Sequence, residues 1–169
     1  MKTFKTLISQ MSGLRFVYEH LKISSGIGRK RVLNQPFIKD EFVLKMEFDL
    51  LEEINRFVLE NENGTLIPDL QTQLGQLNDI SQTLTNLINE QVLDDIQLFE
   101  IKKGSLISWQ ISKLLQQANF DLLPFHDLME VIDLLDPEKT RIPHFYIYAA
   151  YDPRLVSLRR KTDETTGTS

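Results

Sequence analysis

Residues 40–60 read DEFVLKMEFDLLEEINRFVLE, and this stretch decides the fold class. Val43, Met46, Leu50, Ile54 and Phe57 recur at three- and four-residue steps, which puts them on one stripe of a helix. Asp40 stands at the N-cap position, where a carboxylate accepts from the open amides of the first turn. Asn63-Gly64 supplies a stop and turn signal just past the other end. The helical period repeats on both sides of this segment.

Upstream lies SSGIGRKRVLNQPF, residues 24–37. Ser24 or Ser25 can cap a short helix over 26–34, which Pro36 and Phe37 interrupt. Residues 3–22 read as one first helix, with Leu7, Met11, Leu14, Val17 and Leu21 in register. Downstream, 69–76 reads as a helical turn or short helix. Ile80, Leu84, Leu87 and Ile88 continue the helical spacing, with Asn78 or Asp79 as cap. Asp94 caps DIQLFEIKKGSLISWQISKLLQQ, whose Ile96, Phe99, Ile107, Ile111, Leu114 and Leu115 share a face. Gly104 inside it costs about 1 kcal/mol against Ala, so either a neighbour packs close there or the helix bends.

Pro124 suits the first turn of a helix running to Leu135. Phe145, Tyr146, Ile147 and Tyr148 form the one strand-like run. Asp152-Pro153 starts a last helix, which runs out into the polar TDETTGTS. The expectation is an all-α multi-helix bundle with one short β-like excursion near 143–149. One domain spans 1–162, and a disordered polar tail spans 163–169. No fixed-period repeat is present.

Composition narrows the chemistry. The chain has 169 residues, 41% of them apolar, a level that supports a packed core. It contains no cysteine, which removes thiolate metal sites, disulfides and Cys nucleophiles. The first ten residues are too polar for a signal peptide, and no apolar run reaches membrane-spanning length, so the expected location is the cytoplasm. The 24 acidic and 19 basic residues give a net charge of −5. A small domain that binds nucleic acid by itself is usually basic, so any phosphate contact here would come from local patches.

The glycines of GIGRKRV do not make a nucleotide loop. A P-loop needs G-x-x-x-x-G-K-[ST], so that backbone amides wrap the phosphates. A dinucleotide fingerprint needs a preceding strand and a third glycine. The simpler reading of Gly26 and Gly28 is close approach at an interhelical turn, with Arg29, Lys30 and Arg31 in solvent or on an acidic or phosphate partner. His20, His126 and His144 fit no metal spacing. His126-Asp127 is a conceivable general-base pair, but an Asp near a helix start usually serves the helix dipole. Asp94, Asp95, Asp133 and Asp136 sit at helix boundaries and turns, where carboxylates are ordinarily structural. Trp109 reads as a core or interface residue. Phe145, Tyr146, Tyr148 and Tyr151, near Arg141 and Arg154, are the one aromatic-basic cluster; packing against the bundle explains them better than base stacking. No catalytic residue, metal ligand or cofactor-binding residue is assigned.

Three motifs taken in order resemble the MutS family of DNA mismatch-repair and recombination ATPases. The first is SSGIGRKRVLNQPFIKDEFVLKMEFDLLEEINRFV, with Ser25, Gly28, Arg29, Leu33, Pro36, Ile38, Phe48, Leu51 and Ile54 at the matching positions. The second is LDDIQLFEIKKGSLISWQISKLL. The third is LLDPEKTRIPHFYIYAAYDPRLVSLRRK, whose Asp152, Pro153, Arg154, Leu155, Leu158, Arg159 and Arg160 are similar to the start of the family's long lever helix. The resemblance covers about residues 5–162 and implies the helical core/lever region alone. The family's Phe-x-Glu mismatch reader and its Walker motif are absent from this sequence, so ATP and magnesium would belong to another domain.

The resemblance implies a role in coupling that ATPase to a DNA clamp. The implied partners are the remaining domains of a MutS-like protein, DNA through that protein, and a second copy in a homodimer. Arg29, Lys30, Arg31, Arg154, Arg159, Arg160 and Lys161 are the candidate DNA or interdomain contacts. The alternative is a free-standing α-helical protein-interaction module without a DNA role. A small enzyme would need a deep pocket lined by His126 and Asp127.

Overall fold

The computed structural model describes residues 3–61, 64–123, 126–144 and 146–166. These are mostly helical, so the all-α class holds. The chain divides into two compact units. Unit 1 is Met1–Asp79 with Ile107–His126, and unit 2 is Ile80–Leu106 with Asp127–Ser169. No described helix is long and apolar enough to cross a membrane.

Unit 1 begins with α1 (Phe4–Ile8) and α2 (Ser12–His20) where one helix was expected over 3–22. The break is held by side chains. The Ser9 hydroxyl donates to the Thr6 carbonyl at 2.8 Å. The Arg15 guanidinium donates to the carbonyls of Ile8 and Ser9 at 3.4 and 3.3 Å. These contacts satisfy carbonyls at the end of α1, so no further helical turn is needed there. Met11, Val17 and Leu21, read as core-facing, are exposed.

α3 (Gly26–Asn34) is capped by Ser25, whose Oγ accepts from the Gly28 amide at 3.0 Å. A Cβ on Gly28 would lie 2.8 Å from that Oγ and 3.3 Å from Ile23 Cγ2, whereas one on Gly26 would meet nothing within 4 Å. Close approach therefore explains the second glycine and not the first.

α4 (Glu41–Glu60) starts on Asp40, whose carboxylate accepts from the Val43 amide at 3.0 Å. Ile54 and Phe57 of α4, Leu70 of α5 (Leu66–Gly75) and Leu77 pack against buried Ile107, Ile111, Leu115 and Phe120. The Phe57 and Phe120 rings lie 4.2 Å apart, centroid to centroid. Full burial of one such side chain is worth roughly 1.5–3 kcal/mol, so this cluster is the main source of cohesion in unit 1.

α7 (Asp95–Gln117) supplies residues to both units. At its start the Gln97 amide donates to Asp94 Oδ1 at 2.8 Å and the Asp94 amide donates to Gln97 Oε1 at 3.0 Å. That reciprocal pair is a capping box. Ile96, expected on the apolar face, is exposed, while Leu106 is buried. A Cβ on Gly104 would meet Ile80 Cδ1 at an ordinary 3.6 Å, and the helix continues through this position.

Unit 2 also holds α6 (Ser81–Ile88), α8 (Met129–Leu135) and α9 (Pro153–Thr166). The residue at the N-cap position of α6 is Ile80, with no side-chain cap bond, where Asn78 or Asp79 was expected. α8 begins at Met129, five residues later than the expected start at Pro124, which lies outside the described residues. The Asp127 carboxylate accepts from the Met129 amide at 2.8 Å.

Among the described residues the β-like excursion near 143–149 is not a strand. Phe145 lies outside the described residues, and Tyr146–Tyr148 lead into a 3-10 turn at Ala149–Tyr151. A strand needs a ladder partner, and the one bridge among the described residues is elsewhere, between Thr3 and Pro36. Side chains of neighbouring elements hold this segment instead. α9 runs through Thr166, so 163–166 are helical where a disordered tail was expected; 167–169 lie outside the described residues.

Candidate functional site

The densest polar cluster lies inside unit 2. Lys102 of α7 is 2% exposed and Asp136, just after α8, is 0% exposed. Lys102 Nζ donates to Asp136 Oδ1 at 3.2 Å, to the His144 carbonyl at 3.2 Å and to the Tyr148 hydroxyl at 3.1 Å. An ammonium has three N–H donors, and all three are used. The carboxylate is equally well served. It accepts from the Tyr148 hydroxyl at 2.8 Å, the Thr140 hydroxyl at 2.9 Å and the Arg141 amide at 2.7 Å.

Burial alone would push the Asp136 carboxyl up. The Arg141 amide, the Tyr148 and Thr140 hydroxyls and the Lys102 ammonium outweigh it and hold the group well below the usual carboxylate range. The Tyr151 hydroxyl is pushed up by burial and by the nearby Tyr148 and Asp136. It donates to the Leu134 carbonyl at 2.8 Å.

A cavity of about 400 Å³ opens beside the cluster. Leu93, Leu98, Leu134, Leu135 and Ile147 make its walls, with Tyr146, Tyr151, Asp95 and Lys102 at its edges. A fully paired lysine is a poor nucleophile and a poor base, because each donor must first give up a partner. The cluster has the chemistry of a lock: it ties α7, the end of α8 and the 140–148 segment to one buried charge pair.

Sequence reasoning missed this site. Asp136 was read as a boundary carboxylate and Lys102 was not singled out. Its signal was a lysine one helical turn from both Leu98 and Leu106, on what is otherwise an apolar face. A charge at such a position is tolerated only when paired.

The basic residues singled out from the sequence fall into two groups, one in each unit. Arg29, Lys30 and Arg31 lie on α3 in unit 1, all exposed. Lys30 pairs with Asp79 at 2.5 Å. Arg154, Arg159, Arg160 and Lys161 lie on α9 in unit 2. Arg154 pairs with Asp152 at 2.6 Å, and that contact lowers the Asp152 carboxyl from its ordinary value. The Arg159 guanidinium sits 4.3 Å from the Tyr146 ring centroid and donates to the Ile147 carbonyl. Arg159 is thus committed to holding α9 against the 146–148 segment. The Lys161 side chain lies outside the described residues.

The aromatics pack on one another. Tyr146 and Tyr151 meet Tyr148 edge to face, at 5.2 and 5.9 Å. Trp109 is half-buried with Lys113 Nζ 3.7 Å from its ring centroid. Among the described residues no group of three or more His, Asp or Glu side chains is placed to hold a metal ion. His20 contacts the Phe16 carbonyl at 2.7 Å, His126 is exposed, and His144 serves the lock through its carbonyl. The comparisons add no relative: no family model, curated protein or solved structure matches this chain.

Proposed function

We propose that the chain is the non-catalytic helical core/lever region of a MutS-like DNA mismatch-repair or recombination protein. Its task is to couple an ATPase domain to movement of a DNA clamp. ATP, magnesium and the main DNA contacts would belong to other domains of that protein. The observation that carries this reading is the lock. Asp136, Thr140, Arg141, the His144 carbonyl, Tyr148 and Arg159 all come from LLDPEKTRIPHFYIYAAYDPRLVSLRRK, the stretch that resembles the start of the family's lever. A lever must pass on a displacement without yielding at its root, and tightly packed, hydrogen-bonded side chains resist yielding. Arg29, Lys30, Arg31, Arg154, Arg159, Arg160 and Lys161 are the candidate DNA or interdomain contacts.

A second reading, a free-standing helical module that binds another protein, is favoured by the exposed apolar side chains of α4. The gene separates the two. A reading frame that continues past the Ser169 codon and encodes G-x-x-x-x-G-K-[ST] is the result expected for the lever. A stop codon directly after Ser169 overturns the lever reading and leaves the module.

A further inference from the structure

α4 carries two apolar stripes, and unit 1 packs against the C-terminal part of one, leaving Val43 and Met46 exposed. Ile54 and Phe57 face the buried cluster. Leu44, Phe48, Leu51 and Leu59 lie roughly 130° further round the helix at 3.6 residues per turn. They are 39, 61, 56 and 57% exposed. Their spacing has a coiled-coil rhythm: Leu44, Phe48, Leu51, Asn55 and Val58 alternate steps of four and three residues. Three neighbouring large apolar side chains on a regular helical seam make a patch of the kind that marks a protein-interaction site.

The charge beside the seam selects the occupant. Glu47 borders it on one side, and Glu41 and Glu52 on the other, with Lys45 as the accompanying cation. Over its length α4 has six acidic and two basic residues, a net charge of −4. A second copy would set that charge against itself. In a parallel pair it would place Glu47 beside the partner's Glu52, a like-charge contact. We infer that the Leu44–Phe48–Leu51 stripe docks an amphipathic helix of another polypeptide, one whose apolar seam is flanked by lysine and arginine. This is helix-on-helix recognition in which apolar burial supplies adhesion and the acidic border supplies selectivity. Docking on α4 needs no kinship with the MutS family.

The full chain is titrated with two fluorescein-labelled synthetic 21-residue helices that share leucine at every seam position. One has lysine at the flanking positions and the other glutamate. The lysine peptide should bind at least about tenfold more tightly at low salt, and the margin should shrink towards unity at about 1 M salt as screening removes it. Phe48→Glu should abolish binding of both peptides. The double variant Glu47→Lys, Glu52→Lys should reverse the preference. All three positions are exposed or border an exposed stripe, and unchanged circular dichroism checks that the variants fold. Equal binding of the two peptides, binding that survives Phe48→Glu, or no binding of either overturns the proposal. So does a dimer in analytical ultracentrifugation that Phe48→Glu dissociates, since a second copy is then the occupant.

Discussion

Replacing Tyr148 by phenylalanine tests the lock with the smallest possible change in shape. The ring stays, at 4% exposure, and one oxygen leaves. That oxygen donates to the Asp136 carboxylate at 2.8 Å and accepts from the Lys102 ammonium at 3.1 Å. Asp136 would keep Thr140, the Arg141 amide and Lys102. Lys102 would keep Asp136 and the His144 carbonyl, but its third N–H would face no acceptor in a buried site.

A hydrogen bond to a charged group contributes about 1.5–3 kcal/mol, and an unsatisfied buried donor costs about 1–3. The two effects overlap, so Tyr148→Phe should destabilise unit 2 by roughly 2–4 kcal/mol at pH 7. Tyr151→Phe, which loses one bond from a half-exposed tyrosine to the Leu134 carbonyl, should cost about 1 kcal/mol.

Acid supplies a second check on the same residue. The folded carboxyl of Asp136 is held below its ordinary value, so its contribution is present above the unfolded value near 4 and is lost as pH falls through the folded one. Tyr148→Phe removes one of the bonds that lowers it, so the folded value rises towards the unfolded one. Both proteins should lose stability in parallel as pH drops below about 4, and the gap between them should narrow only as pH falls through the variant's folded value. Hydrogen exchange at the Ile132 amide, which donates to the Leu128 carbonyl on a residue of 0% exposure, reads the local cost at pH 7. Urea unfolding followed by circular dichroism reads the pH dependence. A loss below about 0.5 kcal/mol at pH 7 would refute the assignment of Asp136 as the charged centre of the lock.

Three further outcomes follow from the same structure. Gly26→Ala should raise the melting temperature, by up to about 1 kcal/mol of helix propensity, while Gly28→Ala should lower it, because the new Cβ meets the capping Ser25 Oγ at 2.8 Å; calorimetry on the pair decides whether the two glycines differ as described. Asp94→Ala should cost about 1 kcal/mol through loss of the capping box, and Asp94→Ser should restore most of it, as urea midpoints would show. The purified chain should release no phosphate from ATP; turnover that follows the chain through successive columns and disappears with a variant of it would contradict the assignment of ATP hydrolysis to another domain.

How much of this was legible beforehand depended on how local each cause was. α3, α4 and α7 could be read from the sequence because their signals lie within a turn or two. Ser25, Asp40 and Asp94 each accept from an amide three residues on, as cap chemistry requires. Of the apolar steps read on α4, Ile54 and Phe57 meet the unit 1 core, while Val43 and Met46 are exposed. Where the expected elements were wrong, distant or side-chain partners overrode the pattern. Arg15 closes the carbonyls that end α1. The Tyr146–Tyr148 run has strand-like composition but no ladder partner among the described residues, and its Tyr148 hydroxyl is held by Lys102 and Asp136, 46 and 12 residues away.

The sequence by itself determined the helical class, the principal caps and the lack of thiol chemistry. Hydrophobic period and capping act over a few residues, and composition needs no structure at all. Only the tertiary structure decided that Lys102 and Asp136 are a buried pair, that Arg159 is tied to the 146–148 segment, and that half of the apolar surface of α4 stays uncovered. Each of those is a question of which distant residue arrives opposite a given side chain. Charge pairing and burial are settled by that meeting, and no local pattern encodes it.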